Sequence, residues 1–239
     1  MTVDRSRLFG TTGRRVSAIV FDLDGVLVDS FDVMRQAFTI AYAETVGDGP
    51  APFAEYNKHL GRYFPDIMRI MGLPLEMERP FIRESYRLAH QVRMFEGIPE
   101  ALRALRARGI PLAVATGKSG SRARSLLDGL GVLDQFEHII GSDEVARPKP
   151  APDIVLRALR LLEADAEETI MIGDAVTDLR SARAAGVAAV AALWAGVDEA
   201  PLLREQPAAV LHRIADLAVL LGIEASPTDC EIGPPTPAR

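Results

Sequence analysis

The chain has 239 residues, 48% hydrophobic and 25% charged, with 27 basic against 33 acidic side chains and a formal charge of −6. Such a composition is that of a globular protein with a real core, and an acidic balance without a dense Lys/Arg block argues against nucleic acid or an anionic membrane as the main partner. A lone cysteine, Cys230, leaves no internal disulfide, and the longest apolar run, 186–197, is too short to cross a bilayer, so the expected setting is the cytoplasm.

Residues 1–16 lack periodicity and predict a flexible N-terminus. The first Val/Ile-rich run, 17–21, predicts a strand that leads into Asp22-Leu23-Asp24-Gly25-Val26. The next segments read as helix only: 31–46, 53–71 and 75–95 carry apolar residues at three- and four-residue spacing, punctuated by Pro50, Pro52, Pro65, Pro74 and Pro80. A parallel crossover needs far fewer residues. Residues 30–95 are therefore expected to form an inserted helical cap, with Phe64, Met68, Met71 and Met77 read as its core.

Beyond the cap the rhythm becomes regular. Helices are expected at 99–108, 121–130, 151–162 and 176–185, and strands at 110–115, 136–140, 169–172 and 187–193. That alternation predicts an α/β fold, a doubly wound parallel sheet with a Rossmann-type core built from 17–29 and 96–222. The Pro-rich segment 223–239 is expected to be a flexible tail.

Ligands of an open parallel sheet bind outside the carboxyl ends of its strands. Asp22 and Asp24 alternate at the end of the first strand, so both carboxylates face one side of the pleat, and Gly25 permits a sharp turn beneath them. The second strand ends at Thr116-Gly117-Lys118, and the fourth at Gly173-Asp174, with Asp178 close behind. Lys149 stands between Pro148 and Pro150. Carboxylates gathered at one rim repel each other unless a cation joins them, and an oxygen-only donor set suits Mg²⁺. Mg²⁺ takes a phosphate oxygen readily, which leaves Thr116 and Lys149 for the other oxygens. The residues thus predict phosphoryl transfer on a small phosphorylated metabolite.

Two decoys are excluded. A calcium loop starting at Asp22 would need Gly and Glu where Leu27 and Val33 stand. Gly117-Lys118-Ser119 resembles the end of a nucleotide-binding loop, but Leu112 occupies the position of its required first glycine. Lys118 is then expected to face solvent or the cap. Asp178 either caps the following helix or orients Lys149 or the metal shell.

The order of these motifs, Asp22-Leu23-Asp24-Gly25-Val26, Thr116, Lys149 and Gly173-Asp174 with Asp178, resembles the haloacid dehalogenase superfamily of phosphohydrolases over 17–221. The helical insertion resembles the subgroup that includes phosphoglycolate phosphatase and β-phosphoglucomutase. More narrowly, 61–74 and 115–127 resemble phosphatases associated with 3-amino-5-hydroxybenzoate (ansamycin) biosynthesis. The resemblance implies Asp22 as nucleophile, forming an aspartyl phosphate, and Asp24 as general acid and then base. It further implies Mg²⁺ held by the Asp22 carboxylate, the Asp24 backbone carbonyl and Asp174, with Gly25, Thr116, Gly117 and Lys149 at the phosphate and Asp178 behind them. His59 and Arg62 resemble a cap loop that reaches into the site, although an exposed helix turn would read the same way. A phosphomutase and a non-catalytic binding protein are the competing expectations.

Overall fold

The computed structural model describes residues 2–3 and 15–222. Residues 1 and 4–14, and the Pro-rich tail from 223 with Cys230, lie outside the described residues. A seven-stranded sheet has the order β1-β9-β8-β7-β2-β5-β6, where β1 is Thr2–Val3, β2 Ala18–Phe21, β5 Leu112–Thr116, β6 His138–Gly141, β7 Thr169–Gly173, β8 Ala188–Ala192 and β9 Ala209–Leu211. Six of these strands are parallel, and only β1 runs antiparallel, along the β9 edge. Helices α5 (Ile98–Ala107), α6 (Gly120–Gly129), α7 (Asp153–Leu162) and α8 (Val176–Ala184) alternate with the strands.

Strands covered on both faces must be apolar throughout rather than at alternate positions. Ile19, Phe21, Leu112, Val114, Ile170 and Ile172 pack into one buried cluster, whereas Val20, Ala113, Ala115 and Met171 pack with Ile154 and Val155 of α7 into another. The register sets the rim. Phe21 lies opposite both Val114 and Ile172, so Asp22, Thr116 and the Gly173-Asp174 step all emerge at the same carboxyl edge.

Between β2 and β5 the chain inserts the helical segment expected to form the cap. Helices α1 (Phe31–Thr45), α2 (Phe53–Asn57), α3 (Phe64–Met71) and α4 (Glu78–Arg87) enclose a separate apolar cluster. Phe64, Met68 and Met77 are buried in it and Met71 packs against it, as their spacing predicted. Aromatic rings dominate: Phe64 stacks on Phe81 at 4.1 Å, and Phe38 lies 4.5 Å from Tyr56.

The structure departs from the expected elements in four places. The run 53–71 is two helices rather than one, because the chain turns through Gly61 at φ +83°. The run 75–95 does not stay helical: it closes as β4 (Arg93–Met94), which pairs antiparallel with β3 (Val28–Asp29) and ties the two ends of the cap together. Within the segment expected to be structureless, Thr2–Val3 forms an edge strand. Finally α9 (Glu199–Arg204), β9 and α10 (Ala215–Leu220) are each too short to show a period. No helix among the described residues is long and apolar enough to cross a membrane.

Phe38 is fully buried in the cap cluster. Its replacement by alanine is expected to cost about 3–5 kcal/mol and to lower the urea midpoint, whereas Tyr86→Ala, at a ring 45% exposed, is expected to change stability by no more than about 0.5 kcal/mol.

Candidate active site

The rim is organised around one buried lysine. Lys149 Nζ donates to Asp22 Oδ1 at 2.8 Å, Asp178 Oδ1 at 2.6 Å and the Ala115 carbonyl at 3.0 Å. An ammonium has three donors, and all three are used. Burial opposes its charge, but the Asp178 and Asp22 carboxylates more than compensate and hold the pKa above the ordinary lysine range. Asp178 is fixed in turn: its Oδ2 accepts the Ala175 N–H at 3.0 Å, at the start of α8. Asp178 thus caps that helix with one oxygen and holds Lys149 with the other.

Asp174 enters from the end of β7. Gly25 stands beside it with φ +80°, and a Cβ there would overlap the Asp174 carboxylate. Only glycine admits this approach and this backbone together. Asp22, Asp174 and Asp178 each offer an oxygen within 4.8 Å of the others. Three carboxylates against one ammonium leave two uncompensated negative charges. Burial pushes the Asp22 carboxyl up to about 7, with Lys149 opposing and Asp178 adding to the rise. Asp174 is pushed well above the carboxylate range by burial and by the neighbouring Asp22 and Asp178. A hard divalent cation fits such a set: all donors are oxygen and the missing charge is two. Because Asp178 is already committed to Lys149 and Ala175, Asp22 and Asp174 are the carboxylates free to hold such a cation.

The Asp24 carboxylate stands apart from this cluster. Ser30 Oγ donates to its Oδ1, and Lys118 Nζ lies 3.1 Å from its Oδ2. Burial raises its pKa, but Lys118 and Ser30 outweigh that and leave it lowered. In the resting site Asp24 is thus the stronger acid and Asp22 the weaker, opposite to the order expected of an acid and a nucleophile. A cation at Asp22 corrects the first half by favouring the charged form, and release of Lys118 corrects the second.

Thr116 ends β5, with its Oγ1 accepting the Lys118 N–H at 3.2 Å. Gly117 meets the cap: a Cβ there would lie 2.7 Å from the Arg62 carbonyl and 2.8 Å from that of Gly61. A Cβ on Gly61 would in turn meet Thr177 Oγ1 and Ala175. The cap turn thus rests directly on the core rim and covers part of a cavity of about 610 Å³ lined by Asp22, Asp24, Gly25, Thr116, Gly117 and Asp174 below and by Tyr56, Phe64 and Phe81 above.

Of the two cap residues singled out from sequence, Arg62 lines the cavity and His59 does not. His59 Nε2 lies 3.2 Å from Glu55 Oε1, four residues back in the helix that precedes it. Sequence reading also missed cavity residues. Lys118 is 9% exposed and paired with Asp24 rather than solvated. Thr177 Oγ1 is buried without a hydrogen-bond partner among the described residues, and Tyr56, Phe81 and Arg122 line the wall. For Lys118 and Thr177 the available signal was position, since both follow rim strands directly; the cap aromatics follow only from packing.

Residues 19–192 match the family model described as haloacid dehalogenase-like hydrolase. The chain is 32% identical to "Probable phosphatase IndB" of Dickeya dadantii, over 87% of this chain and 96% of that one. It is 30% identical to a phosphoglycolate phosphatase of Chromobacterium violaceum, over 79% and 90% of the two chains. The crystal structure of a hydrolase from Pseudomonas syringae shares the fold with a TM-score of 0.76 at 24% identity, covering 88% of this chain and all of the other.

The acidic cluster generates two expected outcomes. Mg²⁺ is expected to raise the melting temperature, the gain reaching about 2.7 kcal/mol at a hundredfold excess over Kd, and Asp174→Asn is expected to abolish the shift in differential scanning fluorimetry. The Asp22 carboxyl is raised from 3.8 to about 7 in the folded protein, so its contribution to stability is complete below pH 3.8 and is lost as pH rises through about 7. In EDTA, wild-type protein is therefore expected to lose stability between these limits more steeply than Asp22→Asn.

Proposed function

The chain belongs to the haloacid dehalogenase-like hydrolase family, and on that premise we propose that it is a Mg²⁺-dependent phosphatase that cleaves a small phosphorylated metabolite through an aspartyl phosphate on Asp22. One observation carries the reading: Asp22 lines the cavity beneath the cap turn while a fully buried lysine fixes one of its oxygens at 2.8 Å. A carboxylate so held presents a defined oxygen to phosphorus, and such positioning lowers the barrier by prepaying orientation.

In the first half-reaction an Asp22 oxygen bonds to phosphorus and the P–O bond to the leaving alcohol breaks. Asp24 gives that alkoxide its proton, which requires the Lys118 contact to open. In the second half-reaction Asp24 takes a proton from water as the water oxygen attacks phosphorus, releasing Asp22 and inorganic phosphate. Thr116, Gly117 and Gly25 form the rim around the phosphoryl oxygens, and Lys149 exchanges one of its three acceptors for such an oxygen. Mg²⁺, held by Asp22, Asp174 and the Asp24 backbone carbonyl, supplies positive charge that offsets the phosphoryl group and keeps Asp22 ionised. Closure of the cap turn on Gly117 excludes bulk water from the leaving group.

The Chromobacterium relative supports phosphoglycolate as one candidate ester. The narrower role in 3-amino-5-hydroxybenzoate biosynthesis rests on the resemblance of 61–74 and 115–127, and an aminosugar phosphate outperforming phosphoglycolate would support it.

Inorganic phosphate release from p-nitrophenyl phosphate tests the proposal. Wild-type protein is expected to release phosphate only with Mg²⁺, and Asp22→Asn to fall to background. Wild-type rates in Asp22→Asn would overturn the aspartyl-phosphate route. Interconversion of β-glucose 1-phosphate and glucose 6-phosphate with a bisphosphate primer, without net phosphate release, would assign a mutase, and inactivity on every ester would assign a binding protein.

A further inference from the structure

The cavity contains a cation that neither half-reaction uses. Arg122 sits in the first turn of α6, is 8% exposed and lines the cavity. No carboxylate or carbonyl among the described residues accepts a hydrogen bond from its guanidinium; its contact is Phe81, 5.2 Å from Cζ to the ring centre, and the field of Asp24 supports its charge without offsetting the cost of burial. Both its burial and its place are unfavourable. A buried charge without a hydrogen-bonded partner is costly, and the first turn of a helix, already the positive end of the dipole, disfavours a basic side chain. The nearby arginines are satisfied differently: Arg124 reaches Glu144 and Arg180 reaches Glu205.

A second donor stands in the same wall. Tyr56 is 3% exposed, lines the cavity, and its hydroxyl has no hydrogen-bond partner among the described residues. Burial holds the proton on that hydroxyl, and the charge of Arg122 is felt there. The surrounding wall is apolar, with Phe64, Ile67 and Phe81, so an anion at Arg122 would meet little competing water. A cavity of about 610 Å³ is also larger than a phosphoryl group requires, which leaves room for a leaving group that spans to this wall.

We propose that Arg122, assisted by the Tyr56 hydroxyl, forms the leaving-group subsite and takes a second anionic group, a carboxylate or a further phosphate, carried by the phosphorylated alcohol. The proposal rests on the phosphatase reading. A planar guanidinium pairs with either group through two parallel hydrogen bonds, and its contact over the Phe81 ring holds it at the cavity wall. Arg122 is then a specificity residue whose buried charge is completed only when substrate arrives.

Matched esters test this and separate it from the reading beneath it. The carboxylate arm compares 4-carboxyphenyl phosphate with phenyl phosphate, and the phosphate arm compares 1,4-butanediol bisphosphate with butyl phosphate. Wild-type protein is expected to favour the doubly anionic member by about tenfold or more in kcat/KM, chiefly through KM, in at least one arm, and that arm identifies the group. Arg122→Met is expected to bring the ratio close to one, Arg122→Lys to retain part of it, and Tyr56→Phe to lower it less. If Arg122→Met does not fold by thermal melting, Arg122→Lys and Tyr56→Phe decide. Turnover of phenyl phosphate without preference in either arm, or an Arg122 variant that slows both members of a pair equally, would overturn the subsite alone. Release of phosphate from none of the four esters would overturn the phosphatase reading and the subsite with it.

Discussion

The ion pairs of Lys149 hold the rim of this protein together. Three carboxylates brought within 4.8 Å of one another would not remain buried and ionised without a counter-charge, because each would raise the pKa of the others. Lys149 joins the loop before α7 to Asp22 after β2, to Asp178 on α8 and to the Ala115 carbonyl of β5. One side chain thereby fixes the relative positions of four chain segments far apart in sequence. It neutralises only part of the charge it gathers, and the excess is what makes the site receptive to a divalent ion.

A second balance operates one layer outward. Asp24 sits between Ser30, at the entry to the cap, and Lys118, on the core rim. Its charge is tied to the closed contact between the two, since Gly117, next to Lys118, carries the weight of the cap turn at Gly61 and Arg62. Cap position and the ionisation of Asp24 are therefore physically linked through Lys118. In the proposed reaction the recognition divides in the same way: oxygen donors and Lys149 at the rim would deal with the phosphoryl group, while the aromatic wall of the cap and Arg122 of α6 would deal with whatever is attached to it.

Much of this organisation was legible in the chain. Continuous apolar runs marked five of the six parallel strands because strands buried on both faces have no polar alternation to obscure them. The polar residues at their ends, Asp22, Thr116 and Asp174, could be assigned to one rim because parallel strands of one sheet share a direction. Phe64 and the cap methionines read as core because their spacing follows a helix face. Less was legible where elements are short: β9, α9 and α10 hold too few residues to establish a period, and the break at Gly61 interrupts what the apolar spacing alone presents as one helix.

Sequence order by itself determined the α/β architecture, the place of the helical insertion and the chemical character of the rim, because periodicity and strand direction are local properties. Only the tertiary structure decided which charges meet. His59 turned back to Glu55 of the helix just before it, Lys118 folded inward onto Asp24, and Arg122 came to rest against Phe81 with no carboxylate hydrogen-bonded to it among the described residues. Such pairings depend on distances between segments remote in the chain and on how completely water is excluded there, and neither quantity is encoded in any single stretch of residues.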